Sequence, residues 1–282
     1  YLYRKKNFLS GREYLKPNSA LALSAGDTFV SMSMFQATGR SILVIGGLGG
    51  LGRGISSSFL HAGAHVIALD THVENEASFR KELRSSTSQL SVICGDATQS
   101  EVYATAQEVA KSRGHTVDTI VISATPPQFT HAIEDYDWDY HQQMIDVFLK
   151  IPYVATTALL PAMKEHSFGR IINITSEVFE KSEPYSSAYV AGKGAQIGWT
   201  RSMATELAPF GITVNHVAPG FIPVERHKDL PQEVLDGYLA TVPAGRFGTP
   251  ADIGAACVYF ASTEAGFVSG QTLLVNGARS PH

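Results

Sequence analysis

The segment between Ser41 and Asp70 constrains the fold more than any other. Ser41-Ile42-Leu43-Val44-Ile45 is a short β-branched run and reads as a buried strand. It leads straight into Gly46-Gly47-Leu48-Gly49-Gly50-Leu51-Gly52-Arg53-Gly54. A helical pattern over residues 55–62 follows and is stopped by Gly63; a second strand, His65-Val66-Ile67-Ala68-Leu69, ends on Asp70. Strand, glycine loop, helix, strand and acid is the context in which a dinucleotide is held. Glycines let the backbone turn tightly against a pyrophosphate, and the helix N-terminus offers it free N–H groups. Gly47, Gly49 and Gly52 fit G-x-G-x-x-G, while Gly46, Gly50 and Gly52 fit G-x-x-x-G-x-G. No Gly-Lys-Ser/Thr follows, which argues against a triphosphate P-loop.

The alternation continues along the chain. Helical patterns over residues 74–83 and 101–112 flank a strand at Leu90-Ser91-Val92-Ile93-Cys94, which runs into Gly95-Asp96-Ala97. Further strands are expected at Asp118-Thr119-Ile120-Val121-Ile122-Ser123, at Arg170-Ile171-Ile172-Asn173-Ile174-Thr175-Ser176, at Ile212-Thr213-Val214-Asn215-His216-Val217, and at Gln271-Thr272-Leu273-Leu274-Val275. Between them a long helical region over residues 138–163 contains Pro152, where an irregularity is expected. Residues 221–242 show no clear strand and suit a lid, and 250–261 form a helix opened by proline. Seven strands separated by helices imply an α/β fold: one doubly wound, Rossmann-type parallel sheet with helices on both faces.

A formal charge of −4 gives no reason to expect nucleic acid or a membrane surface as partner, and no apolar run approaches a membrane span. Cys94 and Cys257 are too few for a disulfide framework and are expected to pack as small hydrophobes. Residues 1–38 form a separate segment, read as an arm or a targeting remnant, with the main domain over 39–282. Leu21-Ala22-Leu23 is too short for a secretory signal. A cytoplasmic location is expected, with organellar targeting by an upstream segment left open. No metal site is expected.

Chemistry enters at Ser187-Ala188-Tyr189-Val190-Ala191-Gly192-Lys193. Tyr189 and Lys193 stand one helical turn apart and share a face, placing an ammonium beside a phenol. A nearby cation favours the phenolate and would let Tyr189 exchange a proton near neutrality. Ser176, at the end of its strand, offers a hydroxyl to the same substrate oxygen. Asp70 can accept from adenosine ribose hydroxyls and repels a 2′-phosphate, although an aspartate closing a strand is also an ordinary turn residue.

Together these residues resemble the short-chain dehydrogenase/reductase family, from about residue 40 to the end. The loop matches through Gly46, Gly50 and Gly52, the acids after the second and third strands through Asp70 and Asp96, and the Pro-Gly after the sixth strand through Pro219 and Gly220. Ser176 lies thirteen residues before Tyr189 and Lys193 four after it, as in the family. The stretches Val242-Pro243-Ala244-Gly245-Arg246-Phe247-Gly248-Thr249-Pro250 and Gly270-Gln271-Thr272-Leu273-Leu274-Val275-Asn276-Gly277 are also similar. The resemblance implies an NAD-dependent enzyme that interconverts a secondary alcohol and a ketone, with NADP less favoured. Ser176, Tyr189 and Lys193 would be catalytic. Gly46, Gly49, Gly50, Leu51, Gly52, Asp70, Asp96, Ala97, Ser123, Tyr189, Lys193, Pro219, Gly220 and Ile222 would hold the cofactor. Gln128, Phe129, Glu177, Phe179, Tyr185 and Phe221 would face a small-molecule substrate. A homotetramer, or a homodimer, is implied.

Four departures stand out: Ile45 before the loop, Ile122-Ser123-Ala124-Thr125 after the fourth strand, Val224 beyond the Pro-Gly, and Phe148 where the family places a helix asparagine. A proton relay through the Phe148 main-chain carbonyl is expected, since Pro152 has no N–H to donate to it. The alternatives are an NADPH-dependent reductase of 3-oxoacyl thioesters and a non-catalytic nucleotide-binding regulator or scaffold. The charges of Glu225, Arg226, His227, Lys228 and Asp229 are read as those of a solvated loop.

Overall fold

The computed structural model describes residues 34–83, 87–181 and 183–281. Most of the expected arm, residues 1–33, lies outside the described residues. Residues 34–38 lie in the compact unit Met34–His282. Ala37 is buried in the core and its amide donates to the Ala62 carbonyl at 2.9 Å.

Seven strands form one sheet: β1 (Ser41–Ile45), β2 (His65–Asp70), β3 (Leu90–Cys94), β4 (Val117–Ile122), β5 (Gly169–Ile174), β6 (Ile212–Pro219) and β7 (Thr272–Val275). Their order is β3-β2-β1-β4-β5-β6-β7 and every pairing is parallel. The central strands are buried along their whole length, as strands covered on both faces must be. The winding reverses between β1 and β4, and a crevice at the carboxyl ends of the strands opens at that switch point.

The helices are α1 (Gly50–His61), α2 (Glu76–Leu83), α3 (Glu101–Lys111), α4 (Trp138–Ile145), α5 (Ile151–Glu165), α6 (Val178–Lys181), α7 (Ser187–Leu207), α8 (Gln232–Leu239) and α9 (Pro250–Ala261). One apolar cluster joins the sheet to α1, α2 and α9 through Ile55, Phe59, Phe79, Ile253 and Phe260. The other joins it to α3, α5 and α7 through Tyr103, Ile151, Leu159, Met163 and Leu207. α9 begins with a capping box: Thr249 accepts from the Asp252 amide at 3.2 Å, and Asp252 accepts from the Thr249 amide at 2.8 Å.

Two expectations are corrected. Cys94 is exposed at the end of β3, and only Cys257 is buried. The continuous helical stretch Trp138–Glu165 is long and apolar enough to cross a membrane. In this fold its α5 half lays Ile151, Ala155, Leu159 and Met163 against the sheet. The segment 221–242 has no strand, as expected; it carries a 3₁₀ turn at Glu225–His227 and then α8.

The irregularity expected near Pro152 is a widened π-turn, Asp146–Lys150, between α4 and α5. Its i→i−5 bond runs from the Ile151 amide to the Asp146 carbonyl. The extra residue rolls Phe148 inward, where it forms a small cluster with Met144 and Ala188.

Candidate active site

The glycine loop lies between β1 and α1 and shapes the first half of the crevice. Gly46 adopts φ +76°, and a Cβ there would meet the Ala124 backbone at 2.8 Å, so only glycine fits. Gly46, Gly49, Gly50, Leu51 and Gly52 line this cleft together with Asp70 and Ser123. The Asp70 carboxylate accepts from the Leu48 amide at 2.9 Å and from the His72 amide at 3.0 Å, which ties β2 to the loop. Ser123 supplies a buried hydroxyl with no hydrogen-bond partner among the described residues, pointing to a ligand that would satisfy it. An open helix N-terminus, a carboxylate and an orphan hydroxyl along one cleft fit a dinucleotide.

Asp96 and Ala97 do not line this cleft. Asp96 is exposed and accepts from the amide and hydroxyl of Thr98 at 2.8 and 2.9 Å, bonds that hold its carboxyl below the usual range. Ala97 is buried, and its carbonyl accepts from the Tyr103 hydroxyl at 2.6 Å.

The second cavity adjoins the first along Leu51, Ser123, Ala124, Thr125, Val224 and Arg226. Ser176, Tyr189, Lys193, Pro219, Gly220 and Ile222 all line it, as do the substrate-side residues Gln128, Glu177 and Phe221. Three expected substrate-facing residues are elsewhere. Phe129 packs against Tyr140 with ring centroids 5.6 Å apart and the rings tilted by 48°, and Phe179 covers Gly194 on α7. Tyr185 takes a left-handed φ of 58°, which turns its ring outward while its carbonyl accepts from the Tyr136 hydroxyl at 2.7 Å.

Tyr189 sits in the first turn of α7 and Lys193 one turn on, with Ser176 just beyond β5. Burial raises the Tyr189 phenol above its ordinary value. The Ser176 hydroxyl, the Arg226 guanidinium and the Gln128 amide act in the opposite sense by favouring the phenolate. The Lys193 ammonium, expected beside the phenol, instead points down beneath it. It donates to the Ile174 carbonyl at 2.7 Å and to Gln196 Oε1 at 3.2 Å. Its Nζ lies 3.6 Å from the centroid of the Phe148 ring and 5.7 Å from that of Tyr189. Burial, with Arg226 second, holds it well below the usual lysine range. The Phe148 ring also meets Tyr189 edge-on at 5.4 Å. Gly192 permits this approach, because a Cβ there would meet the ring at 2.8 Å. It is the ring of Phe148, not a polar side chain, that fills the space under the two catalytic candidates.

A polar hub closes the far side. The buried Glu177 accepts from Tyr238 Oη at 2.8 Å, from Arg279 Nη1 at 2.5 Å and from Asn276 Nδ2 at 3.0 Å. Tyr238 Oη in turn accepts from the Phe221 amide at 2.6 Å. Burial first, then Glu177, pushes the Tyr238 phenol up to about 12, so it remains a donor. Tyr238, Arg279 and Arg226 line the cavity and were not singled out by sequence reasoning as site residues. Only for Arg226 was there a local signal, a cation just past the Pro-Gly.

Comparison with known proteins adds a second line of support. Residues 46–278 match a family profile described as Enoyl-(Acyl carrier protein) reductase. The 3-oxoacyl-(acyl-carrier-protein) reductase FabG of Rickettsia bellii (strain RML369-C) is 32% identical over 244 residues, covering 86% of this chain and 98% of the relative. A crystal structure of a putative gluconate dehydrogenase from Agrobacterium tumefaciens superposes with a TM-score of 0.80 at 27% identity, over 87% of this chain and 98% of that one. A gluconate 5-dehydrogenase from Burkholderia cenocepacia J2315, solved in complex with NADP and tartrate, gives 0.78 at 27%, over 87% and 97%.

Proposed function

The chain belongs to the short-chain dehydrogenase/reductase family of oxidoreductases, and on that premise we propose that it interconverts a secondary alcohol and a ketone, with Tyr189 as general acid/base. The observation that carries this reading is the placement of Tyr189. With Ser176 and Gln128, it lines a cavity that shares a wall with the glycine-loop cleft. A nicotinamide cofactor held by the loop, Asp70 and Ser123 supplies the hydride chemistry. Ser176 holds the substrate oxygen, and Tyr189 gives a proton to that oxygen in reduction or takes it in oxidation. Arg226 adds positive charge near Tyr189, countering the burial that opposes the phenolate, and Lys193 Nζ stands 5.7 Å from the ring centroid.

NAD is proposed as the preferred cofactor, supported by the Asp70 carboxylate at the edge of the cleft, where a ribose 2′-phosphate would meet a like charge. A second reading, an NADPH-dependent reductase of 3-oxoacyl thioesters, is supported by the reductases among the relatives and by a solved neighbour of that description with NADP bound. A homotetramer is proposed on family grounds.

Tyr189→Phe tests the core of this reading. The variant is expected to keep the fold and cofactor binding and to lose about 10²–10⁴-fold in rate, the usual cost of removing a positioned general acid/base. Near-normal turnover of alcohols or ketones by Tyr189→Phe would overturn it.

A further inference from the structure

The electrostatic support that Arg226 gives Tyr189 leaves its own hydrogen-bonding capacity largely unused. It belongs to the 3₁₀ turn of the lid and lines both the substrate cavity and the glycine-loop cleft. Among the described residues no carboxylate lies within ion-pair distance of it, although Arg40, Arg53, Arg80, Arg246 and Arg279 all have one. Its guanidinium is oriented. Arg226 Nε donates to His227 Nε2 at 3.1 Å. That bond requires His227 to carry its proton on Nδ1, which lies 3.0 Å from the Ile222 carbonyl it then donates to. The His227 ring is in turn packed on Phe221, centroids 4.6 Å apart.

Only the Nε side of the guanidinium is used in this way. Its two terminal amino groups have no hydrogen-bond partner among the described residues, and they remain to meet whatever enters the cleft. A planar fork with two free N–H groups matches a carboxylate, which it binds through two parallel bonds. The acidic side chains nearby are turned to other partners. Glu177 is already taken by Tyr238, Asn276 and Arg279, Asp70 by two backbone amides, and Glu225 faces Arg53 at 3.9 Å. The residue is open to the solvent of the cleft, as a group awaiting a ligand must be.

From this juxtaposition we propose that Arg226 is the carboxylate-recognition residue of the substrate cavity, so that the preferred substrate is a hydroxy acid or oxo acid. The inference deepens the alcohol–ketone reading and rests on it. Placement beside Ser176 and Tyr189 sets the carboxylate on the same molecule as the reacting carbon, a short distance along its chain. His227 is a positioning residue that keeps the fork turned toward the cavity. The rival occupant is the pyrophosphate of the cofactor, since Arg226 also borders the glycine-loop cleft.

The experiment uses the intact protein with NAD or NADP and a panel of short hydroxy and oxo acids, D-gluconate included, each paired with its methyl ester or uncharged analogue. Acids are expected to exceed their neutral partners in kcat/KM. Arg226→Gln is expected to lower that ratio about 10–100-fold, chiefly through KM, and Arg226→Lys to recover part of it. Calorimetric titration of D-gluconate into the protein–cofactor complex should show a parallel loss of affinity in Arg226→Gln. An unchanged acid-to-neutral ratio would overturn the proposal. So would a loss in Arg226→Gln confined to cofactor affinity, which assigns the residue to the pyrophosphate. Turnover of neutral alcohols that needs Tyr189 but ignores Arg226 refutes the carboxylate site alone. Arg226-dependent binding of an acid with no turnover of any compound refutes the alcohol–ketone reading and leaves the site standing.

Discussion

The Lys193 ammonium rests on the face of the Phe148 ring, 3.6 Å from its centroid. A buried cation must have partners, and here it has three: the Ile174 carbonyl, the Gln196 side chain and the negative face of an aromatic ring. The polar chain continues inward from Gln196 to Asn173 and Thr200, all fully or nearly fully buried. The π-turn is what brings Phe148 into this place, and Gly192 is what leaves room for it.

Phe148→Leu keeps an apolar side chain of similar reach and removes the ring face. A desolvated cation–π contact is worth about 2 kcal/mol, and a stability loss of at least that order is expected in urea titration. Because the ring favours the charged form of Lys193, its removal should lower the lysine's pKa further. The limb of the pH–rate profile that reports Lys193 should move to lower pH. A profile that does not move would mean that the ring only fills space.

Glu177→Ala leaves Arg279, Tyr238 and Asn276 without their common acceptor. Removing one member of a buried ion pair costs about 3–5 kcal/mol. Loosening of α8 and the lid is expected to raise the substrate KM more than it lowers kcat. Glu177→Gln, which can still accept from Tyr238, should lie between the two. Thermal unfolding and steady-state kinetics on both variants check the order.

Asp70→Ala removes the charge that opposes a 2′-phosphate, but also the acceptor of the Leu48 and His72 amides. Affinity for NAD is expected to fall while that for NADP falls less or rises. The NAD-to-NADP ratio of dissociation constants should shift toward NADP by about tenfold or more, equivalent to about 1.4 kcal/mol. Fluorescence titration with both nucleotides reads the ratio, and an unchanged ratio would remove Asp70 from cofactor selection.

Acid sensitivity is expected from two buried imidazoles. His65 bridges β1 and β3 through Ser41 and Ser91, both at 3.0 Å, and His216 meets Thr272 at 3.1 Å. Burial is the first cause that pushes each down to about 4, from 6.5. Between those values the unfolded chain binds more protons than the folded one. Stability is therefore full above about pH 6.5 and is lost as pH falls toward 4, by up to about 3 kcal/mol per histidine. Urea midpoints measured from pH 7 to 4 should fall through this window. His216→Asn should flatten the slope.

Much of this architecture was legible in the sequence because it rests on local pattern. β1 and β3 and the helix over 250–261 fall where the apolar runs and Pro250 place them. Parallel strands covered on both faces must be continuously apolar, and such runs are hard to misread. Ser176, Tyr189 and Lys193, singled out from the sequence, all line one cavity. What pattern could not convey was direction and distance. Tyr185 is adjacent in sequence to the site, yet its left-handed backbone turns it away. Lys193 shares a face with Tyr189, yet its long side chain finds better partners below. Tyr238 and Arg279 reach Glu177 from 61 and 102 residues away, and no local signal announces such a contact.

Those separations also set an order of assembly. The nucleotide half of the crevice is built from near neighbours: β1 and β2 pair Ser41 with His65 across a single helical crossover. The Glu177 hub closes only when segments 61 to 102 residues apart have met, after the strands between them are in place. Loop closure over such spans costs entropy before any contact repays it. In refolding, the glycine loop and Asp70 are therefore expected to meet before the hub closes, and recovery of activity is expected to trail recovery of the sheet.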